Sequence, residues 1–138
     1  MDTERPATPK LLLADDNTAL LATLVEMLQT EYVIAGAFPT GTSVLNNISA
    51  LNPDIVILDI SLGDMAGFEV ARRLRESNCR AKIIFLTVHE DVDFVNAALD
   101  VGASGYVFKS LVTEDLIEAI HVVFRGGHFI STSKPFLR

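Results

Sequence analysis

The chain has 138 residues, 49% of them apolar, with no tryptophan and a single cysteine. That length supports one domain with one substantial core, and a lone Cys79 excludes an internal disulfide and suits a reducing compartment. A formal net charge of −7 argues against a phosphate-backbone or anionic-lipid partner, and no apolar run approaches the roughly 18 residues a membrane span needs.

The opening MDTERPATPK is polar and has no apolar h-region, so no signal peptide is visible and a soluble, cytoplasmic protein is expected. Residues 1–9 hold two prolines and mixed charges and read as a disordered lead-in. Lys10 to Ala14 is a short apolar run, the first buried strand, and it ends in Asp15, Asp16 and Asn17. Leu20, Leu21, Leu24 and Leu28 then recur with helical spacing behind an Asp/Asn that suits an N-cap. Tyr32 to Phe38 reads as a second strand, and a weaker helix with Val44, Leu45, Ile48 and Leu51 carries the chain to Pro53.

Ile55 to Leu58 is a continuous, mostly β-branched run that enters Asp59 and a loop rich in Gly and Asp. Such a run, bounded by turn residues, reads as a strand buried on both faces. Phe68, Val70, Ala71 and Leu74 mark a third helix with Arg72, Arg73 and Arg75 on its solvated face. Lys82 to Thr87 is a fourth strand, and Asp91 to Asp100 a helix striped by Val92, Val95, Ala98 and Leu99. Tyr106 to Phe108 is a short fifth strand ending in Lys109. The last helix begins at Thr113, with Glu114 and Asp115 where the dipole favours carboxylates, and closes at Arg125 and the pair Gly126-Gly127.

Strand and helix alternate five times with short connections, which predicts an α/β fold: a doubly wound, five-stranded parallel sheet in the order 2-1-3-4-5. In such a sheet ligands bind at the carboxyl ends of the strands. Asp15 and Asp16, Asp59, Thr87 and Lys109 all fall at that edge. Clustered carboxylates repel one another and raise a pKa unless a cation sits among them. Oxygen-only ligands at a loose edge suit Mg²⁺. A carboxylate nucleophile, a metal, a lysine and a hydroxyl donor together are the parts of a phosphoryl-transfer site. Histidines 89, 121 and 128 are too scattered to form a metal cluster.

With these residues in view, the chain resembles the receiver domain of a bacterial two-component response regulator, a flavodoxin-like fold, over residues 10–125. The acidic pair of that family matches Asp15 and Asp16, its phosphoacceptor Asp59, its switch hydroxyl Thr87, its lysine Lys109 and its switch aromatic Tyr106. The resemblance implies that Mg²⁺ is held by Asp16, Asp59 and the carbonyl of Ser61, with Asp15 acting partly through water. It implies that Asp59 attacks a phosphohistidine on a sensor histidine kinase. Thr87 then moves toward the phosphoryl group, and Tyr106 rotates into the vacated space. Ser61 and His89 occupy positions that tune dephosphorylation, and Val88 is bulkier than the residue often found beside the switch hydroxyl.

Two positions depart from the family pattern. Gly63 stands where proline is usual, which gives that loop more freedom. Ser110 stands where a cis proline often follows the lysine. A cis bond without proline costs about 3–4 kcal/mol, so a trans bond or a strained cis one is expected.

Residues 126–138 resemble the stretch that precedes a LuxR-type helix-turn-helix domain, with Phe129, Ile130, Phe136 and Leu137 as the start of a linker. The chain is therefore read as a receiver cut from a transcription regulator, or else as a stand-alone receiver. On this reading the chain itself binds neither nucleic acid nor membrane. A homodimer could form through the face made by the fourth helix, fifth strand and fifth helix. A phosphorylation-independent receiver-like binding module is the alternative. A haloacid-dehalogenase-type phosphatase fits less well, because its second Asp two residues after the nucleophile is here Ser61.

Overall fold

A computed structural model describes residues 8–132. Along the chain the elements are β1 (Lys10–Ala14), α1 (Thr18–Leu28), β2 (Val33–Phe38), α2 (Gly41–Leu51), β3 (Ile55–Leu58) and α3 (Gly67–Glu76). They continue with β4 (Lys82–Thr87), α4 (Val92–Asp100), β5 (Gly105–Phe108), α5 (Val112–Phe124) and β6 (Phe129–Ile130). All strand pairs are parallel, and the sheet order is β2-β1-β3-β4-β5-β6. The expected order of five strands holds, and a sixth is added at the β5 edge. The pair Phe129–Ile130, expected to begin a linker, is that strand. Two residues are too short a run to show an alternating pattern of their own.

Strands β3 and β5 are buried along their whole length, and β1 and β4 beyond their first lysine, which is why they appear in the sequence as apolar runs. The sheet divides the core in two. On one side Leu12, Val56, Leu58, Phe85, Tyr106 and Phe108 pack against α2, α3 and α4; on the other Leu11, Leu13, Ile57, Leu86 and Val107 pack against α1 and α5. The alternation along each strand assigns neighbouring residues to opposite layers.

The helix ends refine the sequence expectations. The N-cap of α1 is Asn17, whose side chain accepts from the Leu20 N–H, so Asp15 and Asp16 are released from capping. A 3-10 turn over Lys109–Leu111 precedes α5, which therefore starts at Val112 rather than Thr113. After α5, Gly126 adopts φ +95°, a left-handed conformation that favours glycine, and the chain folds back onto the sheet. Cys79 lies half-buried just beyond α3. No helix among the described residues is long and apolar enough to cross a membrane. Of the expected lead-in, residues 1–7 lie outside the described residues; Pro9 is buried, and its carbonyl accepts from the Val33 N–H at 3.3 Å. Phe136 and Leu137 also lie outside them.

Candidate functional site

The strand register brings the acidic residues together. Ala14 is paired with Leu58, so the residues that follow them, Asp15 and Asp59, leave adjacent strands side by side. Backbone bonds fix both: Asp59 N–H donates to the Ala14 carbonyl at 3.0 Å, and Asp15 N–H to the Phe38 carbonyl at 3.1 Å. On the other flank Thr87 is paired with Phe108, and Lys109 follows.

Asp15, Asp16 and Asp59 each offer a carboxylate oxygen within 4.8 Å of the others. Asp15 and Asp59 are buried and Asp16 is exposed. The Lys109 Nζ bridges the two buried carboxylates, 2.9 Å from Asp15 Oδ2 and 3.0 Å from Asp59 Oδ2. The remaining Asp15 oxygen accepts from the Asn17 N–H at 2.9 Å, whereas that of Asp59 has only a long contact with the Ser61 N–H at 3.4 Å. Asp59 thus keeps an oxygen with spare acceptor capacity beside the exposed Asp16.

Two anions share one cation here, and the protonation equilibria follow. Burial pushes the Asp59 carboxyl above its ordinary range; the Lys109 hydrogen bond opposes that, and the Asp15 charge adds to it. Burial disfavours the Lys109 ammonium, but its bonds to Asp15 and Asp59 outweigh burial, and its pKa lies above the ordinary value. The chemistry of the donor set fits a hard divalent cation: three carboxylates, no nitrogen or sulfur, and one ligand open to water.

The loop after Asp59 is narrow and well tied. Ser61 and Ala66 form an isolated antiparallel bridge across it, and Gly67 N–H donates to the Ile60 carbonyl. A Cβ at Gly67 would overlap the Asp59 carbonyl oxygen, so glycine is required for α3 to start this close to the site. Gly63 has φ +81°, which proline cannot adopt, so the departure noted in sequence is a different backbone shape and not merely a freer one. Asp64 leaves this loop to bind α2: its carboxylate accepts from the Gly41 N–H at 2.8 Å, the Thr42 N–H at 2.9 Å and the Thr42 hydroxyl at 2.7 Å. These bonds hold its pKa down at about 2.

The residues expected to act as a switch occupy the other flank. Thr87 is fully buried, and its Oγ1 accepts from the His89 N–H at 3.3 Å. Tyr106 is also fully buried, and its hydroxyl donates to the His89 carbonyl at 2.6 Å. Burial, followed by the charges of Asp91 and Glu90, pushes the Tyr106 phenol up to about 12. The His89 backbone is therefore gripped from both sides, while its imidazole stacks on Phe94 with ring centroids 4.1 Å apart. Val88 is 66% exposed and points away from the core. No peptide bond among the described residues is cis, so Lys109–Ser110 is trans, and Ser110 Oγ donates to Glu90 at 2.8 Å.

Sequence reasoning missed Asp64, the double grip on His89, and Ser131. The first had a signal: an acidic residue in a Gly-rich loop is a common cap or turn ligand. A family model described as the response regulator receiver domain matches residues 11–121. Among known proteins, the chain is 29% identical to the nitrate/nitrite response regulator protein NarL of Escherichia coli K12, over 95% of this chain and 61% of that protein. It is 31% identical to the transcriptional regulatory protein DegU of Brevibacillus brevis, over 75% of this chain and 44% of that protein. A solved LuxR-family two-component response regulator from Aurantimonas sp. SI85-9A1 superposes with a TM-score of 0.86 and 27% identity, covering 91% of each chain. The chain spans about half the length of the curated relatives it matches.

Proposed function

Because the chain belongs to the response regulator receiver domain family, we propose that Asp59 is its phosphoacceptor and that Lys109, Thr87 and Tyr106 convert phosphorylation into a change of surface. A receiver domain is not a conventional enzyme. What carries the reading is Lys109 lying 2.9 and 3.0 Å from two buried carboxylates at the carboxyl edge of the sheet. A bridging cation there keeps a nucleophilic carboxylate ionised despite its burial.

In the reaction, an Asp59 carboxylate oxygen bonds to the phosphorus of a kinase phosphohistidine. The P–N bond breaks, and its electron pair leaves with the imidazole. Lys109 shifts its charge from the Asp59 carboxylate toward the new phosphoryl oxygens. Asp15, Asp16, Asp59 and the Ser61 carbonyl would hold Mg²⁺, which supplies charge neutralisation for the transferred group. Thr87 turns its hydroxyl from the His89 N–H to a phosphoryl oxygen, which frees one side of the grip on His89. Tyr106, tied to the other side, follows. Ser61, Val88 and His89 border the path of a hydrolytic water and set the lifetime of the acyl phosphate. The face of α4, β5 and α5 is then the surface that changes, the one through which two copies would pair.

The sensor histidine kinase is the donor, in the cytoplasm, and transcription through a helix-turn-helix domain beyond residue 138 is the output. The chain itself makes no contact with DNA. Residues 1–9 act as a lead-in and residues 126–138 as the path to that output domain. Intact mass after incubation with acetyl phosphate and Mg²⁺ tests the proposal. One added phosphoryl group is expected on the wild type and none on Asp59→Asn or without metal. A folded wild type that gains no adduct would replace this reading with a phosphorylation-independent binding module.

A further inference from the structure

The polar residue Ser131 is almost completely buried, although it lies beyond the last helix in a stretch the sequence offers as linker. Its N–H donates to the Tyr106 carbonyl at 2.8 Å, its Oγ donates to Asp115 Oδ2 at 2.6 Å, and the same Oγ accepts from the Phe108 N–H at 3.2 Å. With the Phe129 N–H bonded to the Ser104 carbonyl at 3.0 Å, the outgoing chain is clasped along the whole of β5. Asp115 is in the first turn of α5, so the clasp ties β5, α5 and β6 at one point.

Tyr106 is therefore held at two ends. Its hydroxyl reaches the His89 carbonyl beside the site, and its own carbonyl holds Ser131. Phe108, the clasp's other backbone partner, immediately precedes Lys109, whose Nζ bridges Asp15 and Asp59. A group added to Asp59 places anionic oxygens farther out than the carboxylate, and Lys109 must follow them to stay paired. A backbone shift at Lys109 reaches the adjoining Phe108 N–H, whose bond to Ser131, at 3.2 Å, is the longest of the clasp.

We propose that Ser131 and Asp115 form a clasp that couples the site directly to the outgoing chain: phosphorylation loosens it, and the clasp in turn restrains phosphorylation. This rests on the reading of Asp59 as phosphoacceptor. By reciprocity, whatever factor the occupied site applies to the clasp, the clasp applies to the site. Output would then leave through the backbone of β6 as well as through the α4–β5–α5 surface.

The test uses the full chain with beryllofluoride and Mg²⁺ as the phosphoryl mimic, with fluorine NMR reporting adduct formation. Amide exchange at Phe108 and Ser131 is expected to speed up by about fivefold or more in the adduct. Ser131→Ala is expected to bind beryllofluoride tighter by a similar factor, about fivefold, and Asp115→Asn, which keeps the serine, to shift it in the same direction by less. If Ser131→Ala fails to fold, Asp115→Asn and the wild-type exchange decide. An adduct that forms while both amides exchange as before, or variants that bind the mimic as the wild type does, would overturn the clasp and leave the phosphoacceptor reading intact. A folded wild type that forms no adduct overturns the phosphoacceptor reading first, and the clasp with it.

Discussion

Replacing Lys109 with methionine removes the ammonium that bridges Asp15 and Asp59 and keeps most of the side-chain stem. Two buried carboxylates with oxygens within 4.8 Å are left facing each other, a repulsion of about 3.5 kcal/mol at an effective dielectric constant of about 20. The site has an escape, because one carboxyl can take up a proton. From an unfolded aspartate pKa of about 3.9, that proton costs about 4 kcal/mol at pH 7 and about 2 kcal/mol at pH 5.5. The repulsion is thus felt nearly in full at pH 7 and capped at lower pH. Lys109→Met is expected to lose about 3–4 kcal/mol at pH 7, in line with breaking other buried pairs, and about 2 kcal/mol at pH 5.5. The sign follows from a carboxyl whose folded pKa is raised: the stability tied to its proton is complete below the unfolded pKa and is lost as pH rises through the folded one. Urea unfolding of both proteins at the two pH values in chelator reads the difference, with an unchanged slope confirming that the unfolded states match. Added Mg²⁺ should stabilise the variant more than the wild type. A loss below about 1 kcal/mol at pH 7, or the same loss at both pH values, would refute the idea that Lys109 neutralises this pair.

Gly67→Ala drives a methyl into the Asp59 carbonyl and should cost about 1–3 kcal/mol by thermal unfolding. It should also slow acetyl phosphate uptake, since the strain falls on the backbone of Asp59, the proposed phosphoacceptor. Asp64, exposed yet held by three hydrogen bonds from Gly41 and Thr42, should titrate near 2 in carboxyl-detected NMR. Its stabilising effect is present above the ordinary aspartate pKa and is lost as pH falls through about 2, a dependence that Asp64→Asn should lack. Tyr106→Phe leaves the His89 carbonyl without its donor and should cost about 1 kcal/mol at pH 7. Because burial raises the phenol to about 12, the wild type loses this contribution as pH rises through that value. The gap between the two proteins in alkaline urea titrations should close accordingly.

The parts of this molecule legible in its sequence are those whose physics is local. Ile55 to Leu58 announces a buried parallel strand because both of its faces are apolar, and Asp59 stands out because a carboxylate directly follows it. Strand ends fixed the edge on which Asp15, Asp16 and Lys109 meet, and the register of β1 against β3 brings Asp15 and Asp59 side by side. What escaped notice depends on partners distant along the chain. Ser131 reads as linker because its three hydrogen bonds go to Tyr106, Phe108 and Asp115, none of them nearby in sequence. Asp64 likewise bonds α2, more than twenty residues upstream. Of the Asp/Asn candidates for the N-cap, Asn17 takes the role, since an N-cap must sit at the first turn itself.

The division of the core by the sheet has an evolutionary corollary. Residues under α2, α3 and α4 form one packed body, and those under α1 and α5 another, with little side-chain contact through the sheet between them. Substitutions in separate packed bodies tend to add without interacting. One layer can drift while the layer holding Tyr106 and Phe108 keeps its packing. Strand β5, like β4, sends alternate residues to both layers, Tyr106 to one and Val107 to the other, so inherited change in the two layers must be reconciled along those four residues.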